Sequence, residues 1–201
     1  MVKSKVTNPR NKTQPMKPPA RINNLMIPSL CQITINTDGS AIKNGWENAS
    51  AGIGVWYADG SRWNIALKLE NQQNHPTSNS RVELSAILEA LRQNEEEDLV
   101  IESDSLSSLR AICTDLVRYK DQGWYGIQNT DLLKGILIRL RTRPAQTEFR
   151  WVKGHDEEKY GNKRADALAD TGRWLAIPEA WPIVPQVNKK KCPFALRHSW
   201  Q

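Results

Sequence analysis

The chain has 201 residues, 39% hydrophobic and 25% charged, which suits one globular domain with tails and excludes a chain too polar to bury a core. No apolar run approaches the ~18 residues of a membrane-spanning helix, and no secretory apolar core opens the sequence. Cys31, Cys113 and Cys192 are odd in number and lack C-x-x-C spacing, so neither a disulfide framework nor a zinc site is indicated, and a reducing, intracellular setting, nucleus or cytoplasm, is expected.

The formal net charge of +6 points to a polyanionic partner, but its distribution matters more than its sum. Residues 1–29 carry six basic side chains and no acidic one, and residues 177–201 hold Lys189, Lys190, Lys191 and Arg197 against Glu179. The stretch between is net acidic. The reading is a disordered, proline-bearing basic tail over residues 1–29, a domain over residues 30–176, and a second basic tail over residues 177–201 that contains Pro and Trp.

Residues 32–40, QITINTDGS, alternate as a strand, and Asp38-Gly39-Ser40 supplies turn chemistry that leaves Asp38 at the strand tip. A polar loop over 41–50 follows, then a strand over 51–57, a turn over 58–61 and a strand over 62–69. Connections this short predict an antiparallel meander. A helix is expected over 80–93, with Val82, Ile87, Ala90 and Leu91 at helical spacing and Glu83 on the same stripe. An inward carboxylate is costly unless paired or metal-bound. Residues 99–103 read as a buried strand that delivers Asp104 at its end. A helix over 105–119 carries Leu106, Leu109, Ile112 and Leu116, and Gly123 to Gly126 break the pattern. A helix over 131–140, a strand over 148–153 and a helix over 162–175, with Ala165, Leu168 and Ala169 facing in and Asp166 near its first turn, complete the chain.

Asp38, Glu83, Asp104 and Asp166 thus come from two strand ends and two helices that one mixed sheet would gather. Four carboxylates in one place coexist at neutral pH when divalent cations neutralise them, and oxygen-only ligands select hard ions such as Mg²⁺ or Mn²⁺. Such a cluster suits a two-metal site acting on a phosphodiester, which makes a nucleic acid the expected substrate.

On these motifs the sequence resembles the type 1 ribonuclease H family: TDGS at 37–40, NSRVEL at 79–84, ESDS at 102–105, WVKGH at 151–155, and Asn162 four residues before Asp166 in NKRADALAD. The resemblance implies an α/β, ribonuclease H-like fold with a mixed five-stranded sheet in the order 3-2-1-4-5, strand 2 antiparallel, flanked by helices. It implies hydrolysis of the RNA strand of RNA/DNA hybrids by two Mg²⁺ ions, Mn²⁺ being a substitute, with 5′-phosphate and 3′-hydroxyl products. Asp38 would bridge both ions, Glu83 and Asp104 would complete one, Asp166 would hold the other, and His155 would assist proton movement or product release.

The resemblance also marks Asn79 and Ser80 as a groove-contacting pair, supported by Arg81, with Ser80 standing where Asn is commoner and so reaching less far. Leu106 replaces a residue that is often polar. Ser78 falls in a phosphate-binding position, Trp124 and Asn162 belong with the substrate contacts, and Asn44 or Asn48 could reach backbone. The segment 115–131 lacks the basic protrusion many members carry, since Asp115 and Asp121 offset Arg118 and Lys120. The tails are therefore expected to grip the substrate. The compact loop after the first strand looks like the versions found in retroelement polyproteins, which implies a reverse transcriptase or other polyprotein segment as an associate of an otherwise monomeric domain. Two further readings are a DNA-cutting nuclease of the same fold and a hybrid-binding relic that no longer cuts.

Overall fold

The computed structural model describes residues 32–177, apart from residues 44, 45, 47, 48, 71–76, 95, 155 and 157. Five strands form one sheet in the order β3-β2-β1-β4-β5, as the sequence predicts. They are β1 (Gln32–Ile42), β2 (Ser50–Trp56), β3 (Ile65–Leu69), β4 (Asp98–Ser103) and β5 (Thr147–Trp151). β2 is antiparallel to both of its neighbours, while β4 and β5 run parallel to β1 and to each other. The helices are α1 (Asn79–Gln93), α2 (Leu106–Arg110), α3 (Leu116–Asp121), α4 (Thr130–Thr142) and α5 (Tyr160–Gly172). A π-helical turn over Ala111–Asp115 joins α2 to α3, so the expected single helix over 105–119 is one run with a widened turn inside it. Among the described residues no helix is long and apolar enough to cross a membrane.

The core lies between the sheet and α1. Ile35, Leu99 and Ile101 from the strands meet Ile87 and Leu91 of α1, Leu133 and Ile136 of α4, and Leu109, Ile112 and Leu116 of the α2–α3 run. Leu106, counted with that stripe in the sequence, is 57% exposed instead, because it opens the helix beside the sheet edge and not over the core. On the other face α5 packs closely on β2. A Cβ on Gly54 would overlap the Ala165 carbonyl, and one on Gly52 would come within 2.7 Å of Gly172 C, so helix and strand touch through main chain. Ala165 and Ala169 fill the remaining space.

Most element limits differ from the periodicity by one to three residues, α5 ending at Gly172 and β5 at Trp151, and three of the differences bear on the site or have a visible local cause. β1 does not end at Ser40: Asp38, Gly39 and Ser40 stay in the ladder opposite Gly54, Ile53 and Gly52, and the strand continues to Ile42. β3 begins only at Ile65, because the Asn64 side chain accepts from the Tyr57 amide at 2.8 Å and donates to the Ala58 carbonyl at 2.7 Å, doing locally what a strand partner would do. α5 begins two residues early, at Tyr160, whose hydroxyl donates to Asp59 at 2.8 Å and whose ring meets Trp56 edge-on at 5.8 Å. Asp166 therefore stands in the second helical turn.

Candidate active site

The cleft forms where β4 stops and β1 goes on. The β1–β4 pairing ends at Asn36 and Glu102, so Asp38, two residues further along β1, has β2 on one side and an opening on the side of β4. Asp104 follows immediately after β4 and reaches the same opening. α1 brings Glu83 from above. Its close approach needs Gly39, where a Cβ would lie 2.7 Å from the Glu83 amide nitrogen. The helix start is fixed by Ser78, whose hydroxyl caps the Arg81 amide at 3.2 Å.

One carboxylate oxygen from each of Asp38, Glu83 and Asp104 lies within 4.8 Å of the other two. Asp166, from α5, lines the same cleft of about 460 Å³. Burial, then the charges of Asp104 and Asp166, push the Asp38 carboxyl up to about 8. Burial, then Asp38 and Asp104, push Glu83 up to about 9. Both values say that these acids resist ionising together without a counter-charge. Glu83 Oε2 is buried with no hydrogen-bond partner, an acceptor left for a cation. Hard oxygen donors, crowded and under-neutralised, fit divalent metal ions.

The remaining sequence-predicted residues are spread around this cleft. Asn79 lines it and is exposed, and Ser80 beside it is exposed as well. Arg81 turns away: its guanidinium pairs with Asp131 at 2.7 and 3.1 Å and donates to Asn129 Oδ1 at 3.3 Å, tying the start of α1 to the start of α4. The half-buried Trp124 has φ +65° and packs on the rim of the core, with the Lys134 ammonium 5.5 Å above its ring. Asn162 is not at the surface: it is 3% exposed, and its Nδ2 donates to Asp104 Oδ2 at 3.3 Å. His155, Asn44, Asn48 and both tails lie outside the described residues.

The structure adds two residues to the cleft that the motif reading passed over, Asp156 and Lys163. Each sits beside a residue that was singled out, Asp156 after His155 and Lys163 after Asn162, and adjacency was the only signal for either. Asp156 is held by its own loop, accepting from the Glu158 amide at 3.1 Å.

Comparison with known proteins places this arrangement. The RNase H family model matches residues 31–173. The chain is 34% identical over 143 residues to a ribonuclease H of Schizosaccharomyces pombe, covering 69% of this chain and 52% of that one, so it spans about half the length of that relative. It is 31% identical over 147 residues to a ribonuclease H of Actinobacillus succinogenes, covering 70% of this chain and 89% of that one. In fold it resembles the foamy viral protease-reverse transcriptase solved in complex with an RNA/DNA hybrid, with a TM-score of 0.58, 20% identity, and coverage of 84% of this chain and 23% of that one. With the matched region running from the first residue before β1 to the first after α5, and the acidic cleft lying within it, the chain belongs to the RNase H family.

Proposed function

We propose that this chain is an endoribonuclease that hydrolyses the RNA strand of RNA/DNA hybrids with two divalent cations, Mg²⁺ replaceable by Mn²⁺, leaving 5′-phosphate and 3′-hydroxyl ends. The observation that carries the reading is the trio Asp38, Glu83 and Asp104, with carboxylate oxygens within 4.8 Å and Glu83 Oε2 buried without a partner. The relatives named ribonuclease H support the same activity.

Asp38, Glu83 and Asp104 are assigned to one ion, and Asp38 with Asp166 to the other. When bound, the ions supply Lewis-acid polarisation of the phosphoryl group, an acidified water, and a clamp on the attacking and leaving oxygens. The protein's own side chains do the rest. Asn79 and Ser80, exposed at the start of α1, offer an amide and a hydroxyl to the 2′-hydroxyls that distinguish RNA from DNA. The exposed Lys163 gives the cleft a cation for a backbone phosphate. His155, which lies in the sequence between β5 and α5, is assigned proton movement or product release.

The family match over residues 31–173 supports a catalytic domain at residues 30–176. The basic residues 1–29 and 177–201 are assigned further phosphate contacts. Affinity carried by phosphate contacts falls steeply with salt, so removing both tails raises KM at physiological salt and leaves kcat nearly unchanged.

The test is cleavage of an end-labelled RNA/DNA hybrid by the purified chain in Mg²⁺, with duplex RNA, duplex DNA and Asp38→Asn alongside. Cutting of the RNA strand alone, abolished by the substitution and by chelator, is the expected result. Cutting of duplex DNA at a comparable rate would replace this reading with a DNA nuclease of the same fold. Binding without cutting would leave a hybrid-binding relic.

A further inference from the structure

Asp104 is the carboxylate of the cleft that sits just beyond the end of a strand, and its orientation therefore has to come from elsewhere. Its main chain is fixed on two sides: the Asp104 carbonyl accepts from the Leu106 amide at 2.9 Å and from the Trp151 indole at 3.1 Å. Its side chain is fixed by two others. Asn162 Nδ2 donates to Asp104 Oδ2 at 3.3 Å from α5, and Gly154, in the loop after β5, lies so close on another side that a Cβ there would overlap the same oxygen.

The amide of Asn162 can face an ionised carboxylate only through its nitrogen, since the carbonyl end would set two acceptors against each other. That orientation leaves Asn162 Oδ1 buried with no partner in a residue 3% exposed, although Asn162 lines the cleft. A buried acceptor without a donor is costly, so the orientation that serves Asp104 is held against a penalty.

We infer that Asn162 and Gly154 are positioning residues for the metal centre: together they form a slot that sets Asp104 Oδ2 for cation binding, and Asn162 does not contact the nucleic acid. The slot has one wall that hydrogen-bonds and one that must stay empty. The two walls come from different elements, so they are open to independent tests. The inference rests on the metal-dependent reading above.

The experiment is calorimetric titration of Mn²⁺ alone into the unaltered protein, Asn162→Ala and Gly154→Ala, with no nucleic acid present. Thermal melting in chelator and steady-state kinetics on a hybrid accompany it. Loss of a residue that orients a metal ligand costs about 10- to 100-fold in metal affinity, and that is the loss expected in both variants, with kcat reduced and KM for the hybrid unchanged. Gly154→Ala guards against a trivial loss of fold, because its Cβ displaces only the end of a side chain, and its melting temperature in chelator is expected to stay near that of the unaltered protein. Unchanged Mn²⁺ affinity in the two variants, with KM raised in Asn162→Ala, would overturn the inference and make Asn162 a substrate contact. Failure of the unaltered protein to bind Mn²⁺ would refute the metal-dependent reading itself.

Discussion

Gly39 and Glu83 meet through main chain: the Gly39 hydrogen takes the place of a Cβ that would lie 2.7 Å from the Glu83 amide nitrogen. Gly39→Ala must push α1 off the sheet, and Val82 resists from the same side, its Cγ2 being 2.8 Å from the added carbon. Forcing one methyl into such a contact costs about 1–3 kcal/mol. The expected outcome is a lower melting temperature and a larger loss of cleavage than the stability loss accounts for, because Glu83 moves away from Asp38. Full activity in Gly39→Ala at a temperature where it is folded would contradict this.

The site stores destabilisation that depends on pH. Asp38 and Glu83, ordinarily at 3.8 and 4.5, are raised to about 8 and about 9 in the folded protein. The folded form then holds protons that the unfolded chain releases. Their contribution is fully present below about pH 4 and is lost as pH rises through 8 to 9. In chelator the melting temperature is expected to fall between pH 5 and pH 9. Asp38→Asn should flatten that profile and melt higher than the unaltered protein at pH 8, while Mg²⁺ raises the melting temperature of the unaltered protein far more. A variant no more stable than the parent at pH 8 in chelator would show that the carboxylates are not crowded as described.

Arg143 secures the end of the fold remote from the cleft. Its guanidinium donates to the carbonyls of Asn94 at 2.9 Å, Glu97 at 2.5 Å and Gln146 at 3.4 Å, and to Thr147 Oγ1, joining the loop before β4 to the loop before β5. A lysine places its donors on a single nitrogen and cannot span acceptors that Arg143 reaches from two separate ones. Arg143→Lys is expected to lose about 1–3 kcal/mol, the cost of leaving buried acceptors unpaired. Urea unfolding measures it, and activity below the transition should be unaffected.

Arg81 links two helix starts through the forked contact with Asp131. Arg81→Gln keeps a donor but loses the fork, and the start of α1 gains freedom beside Asn79 and Ser80. The expected signature is a raised KM for hybrid with kcat within about twofold, since the altered contacts hold bound and reacting substrate alike. A fall in kcat at unchanged KM would place the effect on Glu83 instead.

The sheet order and the four acids were legible in the sequence because local periodicity and motif order carry them. What was not legible depended on partners far away in the chain. The start of α5 is set by Tyr160 binding Asp59, 101 residues earlier, and that shift of two residues puts Asp166 about half a turn further into the helix. The end of β1 was misread because Asp-Gly-Ser is turn chemistry in isolation, whereas Gly52 and Gly54 opposite it on β2 keep it extended. Asn162 reads from its motif as one of the substrate contacts; only the assembled cleft shows it buried against Asp104.

The contact of α5 with β2 through Gly52 and Gly54 has a consequence for how this domain tolerates change. The distance between the helix that carries Asp166 and the strand beside Asp38 is set by main-chain atoms and by no side-chain length. Substitutions can therefore accumulate across the apolar layer between the sheet and α1 without altering that spacing, while a single added methyl at either glycine alters it at once. Sequence drift in that layer and the spacing of Asp38 from Asp166 are mechanically decoupled in this chain.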